Sequence, residues 1–441
     1  MHRSSSKTWL WVLGTGVPLI AILLLGLVLA LRWATHEPLC QGKPVRVWVD
    51  EIARASYGRR DLAEEQLQTA GPAAVSAIIE ALRTDQKLLR NRINDWWTKL
   101  WPKLPTGVRQ MVPRPRLYFR PDRRMWISSL GRLGPHDQRV VAALTRELNS
   151  GDSEVRFFAT HTLGEVSVNW SDVPATQQQI IRALDRMLTD SAFNVRAGAA
   201  YGLAKCGVAA QPCIPDLIQM LRDPDELAQS AAVRAISYIG GDAEVILPAI
   251  MPLLQSTGAL TRAFAAYTLC HVTGDMGRYL PALIETLAAQ DDSARAVAAA
   301  LIGRLGKSAT KALPDLDQAL QDHDYGVRIS AAKAIWRVSG NASASVPVLR
   351  RLLTVGGRGE QIEITGLLTD FGPDAAPVIP ELMAALDNPD FLIRRNAARA
   401  IASIGPAAKD ALPRLQALSK DDPFPSIRKA AVEAVGQLSK Q

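Results

Sequence analysis

Nine side chains have types and spacing that could do chemistry: Tyr201, Lys205, Arg234, Tyr238, Tyr267, His271, Arg304, Lys333 and Arg337. They fall on two columns four residues apart, about one helical turn, and the columns recur every 33 residues. Between positions 201 and 337 neither column holds an acid. Arginine forks onto carboxylates and tyrosine supplies flat contact area, so the pattern suits non-covalent recognition of an acidic, partly apolar peptide. The competing reading is an ordinary solvated helix face, where Arg and Lys are common.

Bond-making chemistry is not signalled. The histidines, at 2, 36, 136, 161, 271 and 323, form no HExxH and no close cluster with acids. No P-loop, nucleophile elbow or glycine-rich dinucleotide loop occurs, and the Gly-Gly pairs at 240–241 and 356–357 fall in inter-helix turns. No catalytic residue, metal site or cofactor is expected, and the chain reads as not an enzyme. Cys40, Cys206, Cys213 and Cys270 are too few and scattered for a disulfide framework. Cys206 and Cys213 are either a bridge or two small buried thiols.

The elements that must position the two columns announce themselves as a repeat. The proline of a Leu/Ile/Val-Pro dipeptide stands at 215, 248, 281, 314, 347, 380 and 413, every interval 33 residues. On the same clock come Arg262, Arg295, Arg328 and Arg394, with Gln229 and Gln361 in the intervening slots and Arg156, Arg196 and Arg428 beyond. Each unit reads as a helix holding the proline, an Asp-rich turn, and a second helix carrying Val-Arg-x-x-Ala-Ala. Counting from the central Arg/Gln, positions +3, +7 and +10 are apolar in every unit and predict the core columns. Positions +5 and +9 lie on the other face and are expected to be exposed. The turn aspartates Asp152, Asp190, Asp223, Asp291, Asp322 or Asp324, Asp390 and Asp421 are predicted N-caps. Gly207, Gly240, Gly274, Gly306, Gly340, Gly372 and Gly405 are predicted left-handed helix ends. Trp336, at +8, has no place in this scheme.

The proline, turn aspartate and Val-Arg of these units resemble the HEAT repeat of the short, phycobilisome-lyase-like kind, closely over 122–441 and loosely over 45–121. The resemblance implies an all-α, right-handed α-solenoid of HEAT-like helical hairpins, armadillo-like in architecture. It also implies that the second helices line a concave face whose usual work is holding other macromolecules. HEAT-like di-iron hydroxylases use repeated His-Glu pairs; the one His-Glu here is His36-Glu37, so that activity is not carried over. GKPVRVWVDEI (42–52) after an apolar run resembles the opening of membrane-anchored HEAT proteins of planctomycete and verrucomicrobial bacteria.

The N-terminal part differs in character. Residues 9–31, WLWVLGTGVPLIAILLLGLVLAL, carry no charge and are long enough to cross a membrane, with Trp9, Trp11 and Trp33 at the ends. Their length exceeds a signal-peptide core, which favours an uncleaved single-pass anchor over a cleaved signal peptide. The flanking charges set no orientation, and an N-terminal anchor ahead of a large C-terminal domain is expected to export it, leaving the solenoid extracytoplasmic. The net charge of +8 is uneven: residues 32–130 hold 18 basic against 10 acidic side chains, and 131–441 hold 31 against 33. Lipid headgroups therefore explain the basic excess more cheaply than nucleic acid, which is not expected as a partner. The insert 90–124 sets Trp96, Trp97 and Trp101 among Arg90, Arg92, Lys99 and Lys103, which suits a cap on the end of the solenoid, membrane contact or nucleic-acid binding.

The expected organisation is a tail (1–8), a transmembrane anchor (9–31), a juxtamembrane linker with a first helix (32–58), a degenerate repeat with the basic, Trp-rich insert (59–121) and the HEAT solenoid (122–441). The expected function is a non-enzymatic, membrane-anchored scaffold or docking module binding protein partners, acidic peptide segments among them, through the nine residues of the stripe. The alternative is a lyase-like or chaperone-like factor acting on a partner protein.

Overall fold

The computed structural model describes residues 39–40, 43–44, 47–48, 67–68, 70–85 and 123–439. By internal contact the chain divides into Met1–Trp126 and Ile127–Gln441. In the first unit, β1 (Leu39–Cys40) pairs antiparallel with β2 (Lys43–Pro44). Helix α1 (Pro72–Asp85) buries Ala74, Val75, Ile78, Ile79 and Leu82 along one stripe. The insert's tryptophans lie outside the described residues.

Helix α2 (Arg123–Leu133) begins before the division and ends after it. Nine helical hairpins follow among the described residues. They are α3 (Gln138–Glu147) with α4 (Ser153–Ser167), α5 (Pro174–Asp185) with α6 (Phe193–Cys206), and α7 (Ile214–Met220) with α8 (Glu226–Ile239). Next come α9 (Ala243–Ile250) with α10 (Ala259–Thr273), α11 (Met276–Thr286) with α12 (Asp292–Leu305), and α13 (Leu313–Ala319) with α14 (Tyr325–Ser339). The last are α15 (Val346–Val355) with α16 (Arg358–Phe371), α17 (Ile379–Ala385) with α18 (Phe391–Ile404), and α19 (Leu412–Asp421) with α20 (Pro425–Ser439). Each second helix packs on the second helix of the next hairpin, as a stack of repeats requires.

Local chemistry sets the element ends. Pro215, Pro314, Pro347, Pro380 and Pro413 occupy first turns, where a missing N–H costs nothing. All seven predicted glycines have positive φ, between 58° and 81°, which a side chain would strain, but only Gly274 and Gly340 take the expected left-handed helical conformation; the other five combine that φ with an extended ψ. Along the core columns Ala159, Leu163 and Val166 of α4, like Ala331, Ile335 and Val338 of α14, are 4% exposed or less. The spacing that predicts the core is therefore the spacing that fills it.

The turns correct one expectation. Two aspartates divide the work that the sequence suggests for one. Asp225, rather than Asp223, N-caps α8, and of the two candidates Asp322 and Asp324 it is Asp324 that caps α14. Asp190, Asp223, Asp322 and Asp422 instead receive the central arginine of the preceding unit. Arg156 holds Asp190 through two bonds of 2.7 Å, Arg196 holds Asp223 at 2.6 and 2.7 Å, and Arg295 holds Asp322 at 2.7 and 2.9 Å. Arg394 holds Asp422 at 2.9 and 3.2 Å. The other guanidinium nitrogen donates to the carbonyl six residues upstream, as in Arg196 to Asp190 and Arg295 to Ala289. The fork geometry matches a carboxylate, and the pairs bolt each unit to the next.

Among the described units, those centred on Gln229 and Gln361 lack the arginine of this bolt, and those centred on Arg262 and Arg328 lack its acid. The acceptor position for Arg262 is Ala289 and that for Arg328 is Val355, which is 57% exposed. Arg328 lies 4.6 Å from the Tyr325 ring, and its buried Nε has no hydrogen-bond partner.

Seam width follows the residues at +8 of one unit and +6 of the next. A Cβ on Gly164 would stand 2.5 Å from the Gly202 Cα, and one on Gly303 would stand 2.9 Å from the Ala334 Cα, so α4–α6 and α12–α14 are closely packed. At α14–α16 the +8 residue is Trp336, whose ring tilts onto Phe371 at 5.4 Å. This seam is the loosest of the stack. Trp336 is thus a spacer between second helices, which the sequence left without a role.

The expected single-pass membrane protein is corrected. Among the described residues no helix is long and apolar enough to cross a membrane. The longest, such as Ser153–Ser167 and Tyr325–Ser339, have 15 residues, about 22 Å at ~1.5 Å per residue against a hydrocarbon layer of ~30 Å. Residues 9–31, on which the expectation rests, lie outside the described residues.

Candidate partner-binding face

The candidate face is built by consecutive second helices, α6, α8, α10, α12 and α14. Each presents its +5 and +9 residues one turn apart, on the side away from the core columns. Because the helices stack in register, residues 33 apart in sequence become neighbours in space.

Six of the nine predicted residues make cation–π contacts, in two groups, with Lys205 5.2 Å from the Tyr201 ring. The Arg234 guanidinium lies 5.5 Å from the Tyr201 ring, and Arg304 lies 4.3 Å from Tyr238 and 5.9 Å from Tyr267. Arg304 also donates from Nε to the Tyr267 hydroxyl at 3.3 Å. Tyr238 meets Phe264 edge-on at 6.4 Å. Tyr267 departs from expectation: it is 3% exposed, lying beneath Arg304 rather than on the surface. His271 is exposed beside Tyr267, their rings 6.0 Å apart. Lys333 is half-buried and Arg337 exposed, and neither joins these contacts.

The other departure is an acid. Glu165, at +9 of α4, accepts the Tyr201 hydroxyl and pairs with Lys205 at 3.2 Å, while His161 stacks on Tyr201 at 4.8 Å with the rings nearly parallel. Burial would raise the Glu165 carboxyl, but the Tyr201 hydroxyl and the Lys205 ammonium outweigh it and hold it below the usual carboxylate range. Burial raises Tyr201 and its bond to Glu165 raises it further, while burial lowers His161. The α4–α6 end of the face is therefore self-satisfied. His161 and Glu165 stand on the same two columns as the nine predicted residues, so the signal that finds them is the periodicity itself.

Beyond that end the charges are uncommitted. Among the described residues no carboxylate pairs with Arg234, Arg304, Lys333 or Arg337. The ring faces hold the guanidinium planes of Arg234 and Arg304, which leaves N–H edges free to fork onto an anion.

Other reactive groups are held quiet. Cys206, Cys213 and Cys270 are buried free thiols, pushed up by burial to about 11, about 12 and about 12. They stay protonated near neutrality and are weak nucleophiles. Among the described residues no cluster of His, Cys, Asp or Glu could hold a metal ion.

The repeat geometry has a family counterpart. The family described as HEAT repeats matches residues 280–360 and 360–436. The matched residues carry the Arg295 and Arg394 bolts and the Lys333–Arg337 end of the candidate face. Among solved structures, an engineered protein is similar at 21% identity, with 90% of this chain and 98% of that one covered and a TM-score of 0.35. The CpcE–CpcF complex of phycocyanin lyase from Nostoc sp. PCC7120 is similar at 20% identity, covering 54% of this chain and 91% of that one, with a TM-score of 0.41. Importin beta is similar at 13% identity, covering 90% of this chain and 55% of that one, also with a TM-score of 0.41. No curated protein matches the chain.

Proposed function

We propose that this chain is a non-enzymatic docking module that binds protein partners through the +5/+9 face of its second helices. One observation carries the reading. Arg234 and Arg304 are held on tyrosine rings with no carboxylate partner, whereas Arg156, Arg196, Arg295 and Arg394 are all committed to aspartates in the turns. Cations pre-positioned on a partly apolar surface suit a partner that brings acids of its own. Lys333 and Arg337 extend the same charge along α14, and Tyr201, Lys205, Tyr238, Tyr267 and His271 frame it. The test is charge reversal of Arg234, Arg304 and Arg337 together, followed by recovery of the proteins that co-purify with the full chain. Loss of partners that the unaltered chain retains is expected. An unchanged set of partners overturns the reading.

A further inference from the structure

Resting on that reading, we infer that the face takes an extended acidic peptide segment of about eight to nine residues whose carboxylates are distributed along its length. The cations are themselves distributed. The Arg234 guanidinium, from α8, lies by Tyr201 of α6, the Arg304 guanidinium, from α12, reaches back to Tyr238 of α8, and Lys333 and Arg337 stand on α14. Three helix-to-helix steps separate α8 from α14, roughly 25–30 Å at about 8–10 Å per step. An extended chain covers about 3.3 Å per residue, so about eight to nine residues lie across the cations. A helical segment of the same length rises only about 1.5 Å per residue and falls short of the far cation.

Both ends of the footprint are closed by acids on the same columns. At one end Glu165 consumes Tyr201 and Lys205. At the other, α16 places exposed Asp370 at +9 and Gly366 at +5, so the cationic run stops after Arg337. An acidic segment extending past either end meets repulsion, which sets length as well as charge. The half-buried rings of Tyr201 and Tyr238 border the guanidiniums and favour an apolar residue between the carboxylates, which covers the ring surface that stays exposed to water.

The experiment measures binding of two labelled nonapeptides of identical Glu, Leu and Ala composition to the full chain by fluorescence anisotropy at fixed ionic strength. One carries Glu at its first, fifth and ninth positions and the other at its first three. At least about tenfold tighter binding of the first peptide is expected, reduced toward equality in the Arg234→Gln/Arg304→Gln protein. Arg304→Lys keeps the charge but loses the fork and is expected to retain only part of the preference; thermal melts of each variant report folding separately. Equal affinity for the two peptides overturns the distributed-carboxylate inference while leaving docking intact, provided the triple charge reversal still strips partners. No binding of either peptide overturns it as well. Tighter binding of a nine-nucleotide oligothymidine than of the first peptide overturns it in favour of a nucleic-acid face.

Discussion

Arg295 and Arg304 stand nine residues apart on one helix and meet opposite fates. Arg295 is 6% exposed, forks onto Asp322 of the next turn, reaches Asp292, and ties down the carbonyls of Ala289 and Gln290. Arg304 is exposed, rests on two tyrosine rings and has no carboxylate among the described residues. The same side chain is structural where the neighbouring unit supplies an acid and water is excluded. It is available where the neighbour supplies only aromatic faces. The comparison separates frame from face without any appeal to residue type.

Acid is the harshest way to break the frame, because it strikes several bolts together. Bonds from Arg196 and Arg295 outweigh burial to hold Asp223 and Asp322 below the usual carboxylate range. Asp190 is likewise lowered, against an opposing effect of burial, by Arg156. For a depressed carboxylate the stabilisation is fully present above the unfolded-state value near ~3.9 and disappears as pH falls through the lower folded-state value. Helical signal followed by circular dichroism should therefore hold steady from neutrality to about pH 4 and collapse below it. Loss of structure already near pH 6 would show that the carboxylates are not the bolts.

Asp322→Ala comes next. It removes the fork from buried Arg295 and leaves only the half-exposed Asp292 as its acid, and unfolding in denaturant should show a loss of about 3 kcal/mol. Arg304→Gln, by contrast, should cost under about 1 kcal/mol, since an exposed cation–π contact is worth about 0.5–1 kcal/mol. Similar losses from both would erase the distinction between frame and face.

Gly303→Leu probes the seams at a smaller scale. The Gly303 Cβ would meet the Ala334 backbone at 2.9 Å, so the α12–α14 seam must part at a cost of roughly 1–3 kcal/mol, read as a lowered melting temperature. The smallest effect is a gain. Val355→Asp places an acid where Arg328 lacks one and should stabilise by about 0.5–1 kcal/mol, a gain that disappears in the Arg328→Gln background. Persistence of the gain in that background would mean the new acid acts elsewhere.

Much of this was legible before any coordinates. The 33-residue clock located the prolines, the positive-φ glycines and the core columns, because helix ends and apolar stripes are written in local sequence. Tyr201, Arg234, Tyr238 and Arg304 were legible as neighbours for the same reason: in a stack of like units, a fixed sequence interval is a fixed direction in space. The burial of Tyr267 was not legible, since it depends on Arg304 reaching over it from the following unit. Nor was the separation of Asp322 from Asp324, because both suit an N-cap in composition and only the distance to Arg295 tells them apart. The tryptophans of the insert and the apolar run at 9–31 belong to residues outside those described.

By itself the sequence determined the repeat, its period, its hairpins and the two columns that carry tyrosine and arginine, since each depends on local propensity and on periodicity. Only the tertiary structure decided which arginines are spoken for. An arginine's role depends on whether an acid of another unit lies within about 3 Å of its fork, and that distance exists only once the units are stacked.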